Sequence, residues 1–149
     1  MKILFVCTGN TCRSVLAHRY GAVLAAGEKL KHQFSSAGLA AEATIPQPRI
    51  VADLLAKEGV KDFKPVPVML TGKMIKHNDV VLAMTAAHKA AIIARYPRAA
   101  KKTWTLVEYA GFGQGDIPDP YGRDDLFYFT VFKTIKAAVK AVLEKLKKK

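Results

Sequence analysis

Cysteine is scarce in this chain, which has two among its 149 residues. Cys7 and Cys12 stand too close together to indicate a disulfide framework, and nothing in the sequence resembles a paired metal site. Long apolar runs are missing as well, because none approaches the roughly 20 residues of a membrane span. The N-terminus also lacks the charged and then apolar pattern of a secretory signal. We therefore expect a cytoplasmic protein that has no metal site and does not enter a membrane.

Acidic residues are half as frequent as basic ones, with 12 Asp and Glu against 24 Lys and Arg and a net charge of +12. Such a balance can indicate a nucleic-acid partner. The lysines are spread along the chain, however, and the densest run, residues 145–149, closes a predicted helix where cations suit the helix dipole. The charge therefore favours a solvated surface that attracts phosphorylated substrates over a nucleic-acid interface.

The length and the order of the patterns predict one α/β domain over residues 1–149. We expect a monomer, although no pattern in the sequence determines the oligomeric state. A chain of this length can bury about two-thirds of its unfolded surface, which suffices for a core. Apolar runs alternate with amphipathic stretches, as in a doubly wound, Rossmann-like sheet of four parallel strands with helices on both faces. Trp104 is expected in the core. Strands are expected at residues 2–6, 31–38, 80–84 and 102–107, and helices at 15–30, 45–59, 70–77, 85–95 and from 124 or 125 to the C-terminus.

The first predicted strand leads directly into a polar loop, residues 7–14, that opens onto a helix. The N–H groups of such a loop lack partners and the helix dipole adds partial positive charge, so this geometry binds anions. Cys7 lies at one end of the loop and Arg13 near the other. A guanidinium can hold two oxygens of an oxyanion, and a thiol beside such charge is expected to ionise. The loop therefore combines a nucleophile with an oxyanion clamp.

A second loop, residues 111–122, is expected at the same edge of the sheet. It follows the last predicted strand and contains four glycines and two prolines. Ligands of such sheets bind beyond the C-terminal ends of the strands, so the carboxylates of Asp116 and Asp119 can reach the Cys7 loop. A carboxyl group in that place can protonate a leaving group and later activate water.

The sequence of these loops resembles the low-molecular-weight protein tyrosine phosphatase family, including its bacterial protein arginine phosphatase branch. The matching features are five residues between Cys7 and Arg13 after an N-terminal strand, Asn10 inside the loop, and Asp119-Pro120-Tyr121. The resemblance implies that a phosphorylated protein is hydrolysed through a phosphocysteine on Cys7, with no metal or cofactor. Arg13 would bind phosphate, and Asp119 would act as general acid and then as base. Phosphate and other oxyanions would be inhibitors.

The same resemblance assigns the supporting residues. Ser14 would donate a hydrogen bond to the Cys7 thiolate. Asn10 would hold the loop in its unusual conformation, with Ser36 as its hydrogen-bond partner, and Tyr121 would line the pocket. The phosphate-binding loop would comprise Thr8, Gly9, Asn10, Thr11, Cys12, Arg13 and Ser14.

Several of these residues also have purely structural interpretations. Ser14 can be only a helix N-cap, and Asn10 only a turn residue that tolerates positive φ. Asp116 is expected to be a turn residue and is the substitute acid if the other assignment fails. Cys12 can form a reversible disulfide with Cys7 that protects the nucleophile from oxidation, or it can be a small buried side chain.

Departures from the family pattern bear on the loop and on the substrate. Residues 15–18 are Val, Leu, Ala and His where the family usually has Pro, Met, Ala and Glu, and Pro65 stands where many relatives have a histidine that supports the loop asparagine. Thr11 replaces a bulkier aliphatic residue of many tyrosine-specific relatives and resembles the arginine phosphatase branch. Its hydroxyl can meet a guanidinium N–H, whereas Tyr121 can provide an aromatic wall for a phenyl ring. Phosphotyrosine and phosphoarginine therefore both stay open as substrates.

Three other functions are alternatives. A thiol-linked arsenate reductase shares this fold and loop, but residues 13–149 hold no further cysteine for an internal relay, so an external thiol would have to serve. A non-catalytic basic binding protein would bind nucleic acid with steep salt dependence and show no turnover. A phosphate-carrying transfer domain would have no use for Arg13 and Asp119.

Overall fold

Four strands and six α-helices make up the secondary structure of this computed structural model, which describes residues 1–61, 63 and 66–148. The strands are β1 (Lys2–Cys7), β2 (Gln33–Gly38), β3 (Val80–Ala83) and β4 (Thr103–Thr105). The helices are α1 (Arg13–Gly27), α2 (Arg49–Lys57), α3 (Gly72–His77), α4 (Ala86–Arg95), α5 (Leu106–Tyr109) and α6 (Asp125–Lys147), and a 3₁₀-helix covers Pro97–Lys102. Within the described ranges, none of these helices is long and apolar enough to cross a membrane.

The strands form one parallel sheet in the order β2-β1-β3-β4, which separates two apolar cores. Successive side chains of a strand point to opposite faces, so Ile3 and Phe5 enter one core and Leu4 and Val6 the other. Helices α1, α2 and α6 cover the first face, and α3 and α4 cover the second. The predicted doubly wound sheet of four parallel strands with helices on both faces is therefore confirmed.

The C-terminal end of β1 is the point from which the sheet extends in both directions. Strand β2 lies on one side of β1, and β3 and β4 lie on the other, which opens a crevice beyond Cys7. Gly38, at the end of β2, pairs with Cys7. A Cβ atom at Gly38 would lie 2.5 Å from the Thr8 carbonyl oxygen and 2.9 Å from the Asn10 nitrogen, so only glycine lets β2 end this close to the loop.

The fourth strand is shorter than predicted, because a helix begins inside the expected range of 102–107. The Thr105 hydroxyl accepts a hydrogen bond from the Glu108 N–H, and the Glu108 carboxylate accepts one from the Thr105 N–H. This capping box starts α5 at Leu106, and the spacing of Thr105 and Glu108 carried the signal in the sequence. The expectation that Trp104 is a core residue is wrong. Its side chain is 42% exposed, since Thr103 and Thr105 occupy the buried face of this edge strand.

Other differences concern boundaries near the functional loop. Helix α1 begins at Arg13, two residues earlier than predicted. Asp62, Lys64 and Pro65 lie outside the described residues. The suggested correspondence of Pro65 with a supporting histidine therefore stays a prediction.

Candidate active site

The loop between β1 and α1 presents unpaired N–H groups to the crevice. Cys12 is the N-cap of α1, and within the described residues its side chain makes no capping hydrogen bond. The first turn of α1 carries no acidic side chain either. The N–H groups of the first turn and the helix dipole can therefore act on an external anion, and anion binding by this loop stays a prediction.

Three side chains of the loop form a chain of hydrogen bonds that ends on the predicted nucleophile. The Asn10 amide nitrogen Nδ2 donates to Ser14 Oγ over 2.8 Å, and Ser14 Oγ lies 2.9 Å from Cys7 Sγ. Because Asn10 occupies a lone pair of the Ser14 oxygen, the Ser14 proton is free to point at the Cys7 sulfur. This arrangement suits the role that was predicted for Ser14, donation to a thiolate.

The conformation of Asn10 matches the prediction, but one of its partners does not. Its φ of 54° lies in the left-handed region, and its side-chain oxygen accepts a hydrogen bond of 3.0 Å from the Val68 N–H. The expected pairing of Asn10 with Ser36 is wrong, because the Ser36 hydroxyl bonds instead to Nδ1 of His18 over 2.9 Å. No pattern in the sequence could indicate the Val68 contact, since every residue type except proline carries that donor.

The second loop brings the predicted acid to the predicted phosphate clamp. Arg13 is buried, and its Nη1 donates to the Ile117 carbonyl over 2.9 Å. Its Nη2 lies 3.7 Å from Asp119 Oδ2. The Asp119 side chain is 56% exposed, so a proton on it can exchange with solvent. Its Oδ1 accepts from the Tyr121 N–H over 3.0 Å, which orients the carboxylate.

Asp116 has a structural contact that separates it from its neighbour in the loop. Its Oδ1 accepts a hydrogen bond of 2.8 Å from the N–H of Ala86, the first residue of α4. A helix begins with N–H groups that have no internal partner, so this carboxylate helps to satisfy the start of α4. The structural interpretation of Asp116 fits this geometry.

A cavity of about 250 Å³ is lined by eight of the predicted site residues, whereas Asn10, Ser14 and Ser36 are not among its lining residues. Its walls include Cys7, Arg13, Asp119 and Tyr121, together with four further loop residues, Thr8, Gly9, Thr11 and Cys12. Two wall residues, Ala40 and Ile45, were missed by sequence reasoning. The Ala40 N–H donates to the Thr8 carbonyl over 2.9 Å, and a backbone contact of that kind leaves no pattern in the sequence.

Cys12 is a buried residue of the cavity wall that also contacts α6. Its sulfur lies 3.6 Å from the Tyr128 hydroxyl oxygen, and burial raises the pKa of the Cys12 thiol. Both cysteines are free thiols in this structure. The contacts suit the interpretation of Cys12 as a small buried side chain, and its disulfide with Cys7 stays a prediction.

Two histidines lie beside the loop, and the sequence indicated a chemical role for neither, since His88 was expected to pack or to lie on the surface of a helix. His18 bonds to Ser36 as described above, and His88 Nε2 lies 2.8 Å from Thr8 Oγ1. Burial lowers the pKa of each to about 4, with help from the charge of Arg19 at His18 and of Arg13 at His88. Both imidazoles are therefore neutral near pH 7.

These two histidines predict a loss of stability in mild acid. The unfolded chain binds their protons near pH 6.5, whereas the folded chain resists protonation down to about pH 4. Their stabilising effect is therefore complete above pH 6.5 and decreases as the pH falls. Between pH 7 and pH 5 we expect the free energy of unfolding, measured by urea titration, to fall by about 2 kcal/mol for each histidine. A variant with both His18→Gln and His88→Gln should show a much flatter dependence, and an equal fall in that variant would contradict the assignment.

Comparisons with known proteins agree with this geometry. The model of the family described as low molecular weight phosphotyrosine protein phosphatase matches residues 2–149. A protein-arginine-phosphatase of Bacillus subtilis is 34% identical over 149 residues, which cover 99% of this chain and 98% of the relative. A low molecular weight protein-tyrosine-phosphatase of Escherichia coli is 32% identical over 137 residues, which cover 92% of this chain and 88% of the relative.

A solved structure is similar along nearly the whole chain. It is a mutant arginine phosphatase with a phosphorylated active-site serine, and it aligns with a TM-score of 0.94 at 32% sequence identity. The alignment covers 99% of this chain and 97% of the other.

Proposed function

We propose a mechanism and a substrate from one premise: the chain belongs to the low molecular weight phosphotyrosine protein phosphatase family and is a cysteine-dependent protein phosphatase. The observation that carries the mechanism is that Cys7, Arg13 and Asp119 line one cavity of about 250 Å³. A nucleophile, a cation for the oxyanion and a carboxyl group thus reach the same small volume.

In the first step, the Cys7 thiolate attacks phosphorus in line as the bond to the leaving group breaks. Arg13 and the loop N–H groups stabilise the charge on the equatorial oxygens, and Asp119 protonates the leaving group. In the second step, the Asp119 carboxylate takes a proton from water, which attacks phosphorus and releases phosphate. The Ser14 hydroxyl, 2.9 Å from the sulfur, supports the thiolate as it leaves.

For the substrate, we propose phosphoarginine in proteins, and Thr11 is the residue that supports it. Thr11 is buried in the cavity wall, and its Oγ1 lies 3.7 Å from Cys12 Sγ. No closer hydrogen-bond partner of this oxygen is present among residues 1–61, 63 and 66–148, so it can accept from a guanidinium N–H. An aliphatic side chain would leave that N–H unpaired, a difference that sites can use for large discrimination. Protein-arginine-phosphatases are among the relatives.

Phosphotyrosine is the second candidate, and Tyr121 favours it. Its ring is 52% exposed at the cavity and can pack against a phenyl ring. A protein-tyrosine-phosphatase is among the relatives as well.

Replacement of Thr11 by isoleucine should distinguish the two substrates. We expect the wild type to prefer a phosphoarginine peptide over a matched phosphotyrosine peptide, and Thr11→Ile to reduce that preference by about tenfold or more, since a hydrogen bond to a charged group is lost. The measurement is kcat/KM on both peptides. Thr11→Ser, which keeps the hydroxyl, is the matched control and should retain most of the preference. A wild type that prefers phosphotyrosine, with little change in Thr11→Ile, would overturn the proposed substrate.

Inhibitors, oligomeric state and location complete the proposed function. We infer that inorganic phosphate and vanadate compete with substrate, because they match the oxyanion site, and that the chain acts as a cytoplasmic monomer. Turnover without a reducing thiol would separate this function from an arsenate reductase. A gel shift with a salt titration would reveal nucleic-acid binding if the basic surface served that purpose.

A further inference from the structure

Thr8 follows the predicted nucleophile directly and carries a hydroxyl group at the mouth of the cavity. Its side chain is exposed, and it lines the cavity together with Asp119 and Tyr121, which are also exposed. Cys7 and Arg13, by contrast, are buried at the base. A phosphoryl group at that base directs its leaving group outward, so Thr8 lies at the level of the leaving group.

His88 holds this hydroxyl from the outside of the loop. His88 is 8% exposed and belongs to the first turn of α4, where its N–H donates to the side chain of the N-cap Thr85. Its Nε2 lies 2.8 Å from Thr8 Oγ1. The imidazole is anchored by the helix start and by burial, so the hydrogen bond restrains the rotation of the Thr8 side chain.

The chemistry of the pair suits a leaving group that carries N–H groups. A hydroxyl oxygen has two lone pairs, and a neutral imidazole can occupy one of them at most. In either tautomer of His88, Thr8 Oγ1 therefore keeps a lone pair for an incoming donor. Burial and the nearby Arg13 charge lower the pKa of His88 to about 4, so it adds no positive charge that would repel a guanidinium at neutral pH.

We propose that Thr8, positioned by His88, is a second specificity residue that accepts a hydrogen bond from the guanidinium of phosphoarginine. This inference rests on the proposed substrate and adds to it. Thr11 and Thr8 then supply polar acceptors from two points of one loop, at different depths of the cavity. A phenyl leaving group has no donor on its ring and makes no use of the Thr8 oxygen.

Thr8→Val tests the contact, because valine keeps the shape of threonine and removes the hydroxyl. We expect the ratio of kcat/KM for a phosphoarginine peptide to that for a matched phosphotyrosine peptide to fall about tenfold, the size of one hydrogen bond to a charged group. The fall should appear mainly in KM, because the contact exists in the ground state as well as in the transition state. Thr8→Ser is the control and should keep most of the ratio. An equal loss on both peptides would show a general effect on the loop and overturn the proposal.

His88 is tested by a double-mutant cycle with Thr8. His88→Leu should lower the same ratio several-fold, and His88→Gln, which can still hydrogen-bond, should restore part of it. Because His88 acts through Thr8, adding His88→Leu to Thr8→Val should change the ratio no further. Additive losses would contradict the positioning role. Failure of the proposed substrate would appear in the wild type alone, as a preference for phosphotyrosine, whereas failure of this inference appears only in the variants.

Discussion

Cys7→Ser abolishes turnover while inorganic phosphate still binds. The expected fall in kcat is roughly 10⁵-fold, because a serine hydroxyl is a far weaker nucleophile than a cysteine thiolate. The anion site is retained, since Arg13 and the N–H groups of the loop do not depend on the sulfur. Steady-state hydrolysis of an aryl phosphate measures the first effect. Calorimetric titration with inorganic phosphate measures the second.

Cys12→Ser is the matched control for this substitution. It replaces sulfur by oxygen, as Cys7→Ser does, but five residues further along the chain. In the wild type the Cys12 sulfur contacts Tyr128 in the interior. We expect this variant to lose far less activity than Cys7→Ser. Substantial turnover in Cys7→Ser would argue against Cys7 as the nucleophile. Loss of phosphate binding together with turnover would argue against an anion site that is independent of the sulfur.

Asp119→Asn slows turnover by about 10²- to 10⁴-fold, the usual range for loss of a general acid. The amide oxygen can still accept from the Tyr121 N–H, so the loop keeps its shape while the proton donor is lost. Poor leaving groups need protonation most, and they should be slowed most. Turnover of a series of aryl phosphates with rising leaving-group pKa measures this dependence. Equal slowing across the series would remove Asp119 from the role of acid.

Asp116→Asn is the control in the same loop. Its carboxylate bonds to the start of α4, so the substitution should reduce stability by about 0.5–1 kcal/mol with little dependence on the leaving group. The Arg13 contact with Asp119 does not obscure the comparison, because an ion pair of 3.7 Å with a half-exposed carboxylate contributes little.

The sequence alone was sufficient to predict the four-stranded parallel sheet and to select the charged and nucleophilic residues of the candidate site. Continuous apolar runs such as 80–84 predict buried parallel strands, and a parallel sheet brings the ends of its strands to one edge. That rule alone places the Cys7 loop and Asp119 together. The family resemblance supplied the roles of these residues.

Most of the contacts that sequence reasoning missed are made by backbone groups or by a side chain that departs from the family pattern. The Val68 N–H holds Asn10, and the Ala40 N–H holds the loop at Thr8, but neither depends on side-chain identity. His18 was recognised only as a departure from the usual glutamate, so its bond to Ser36 could not be inferred. The exposure of Trp104 was missed because a three-residue edge strand has too short an alternation to reveal its outward face.

The close approach of Gly38 to the loop has a consequence for the thermodynamics of ligand binding. The end of β2 leaves no room between its backbone and residues 8–10, and the N–H groups of Leu39 and Ala40 donate to the carbonyls of Cys7 and Thr8. Ordering the backbone of a free five-residue loop would cost about 5–10 kcal/mol of conformational entropy. Here that loss accompanies folding, before any ligand arrives. The free energy of oxyanion binding therefore carries no further penalty for shaping the loop backbone.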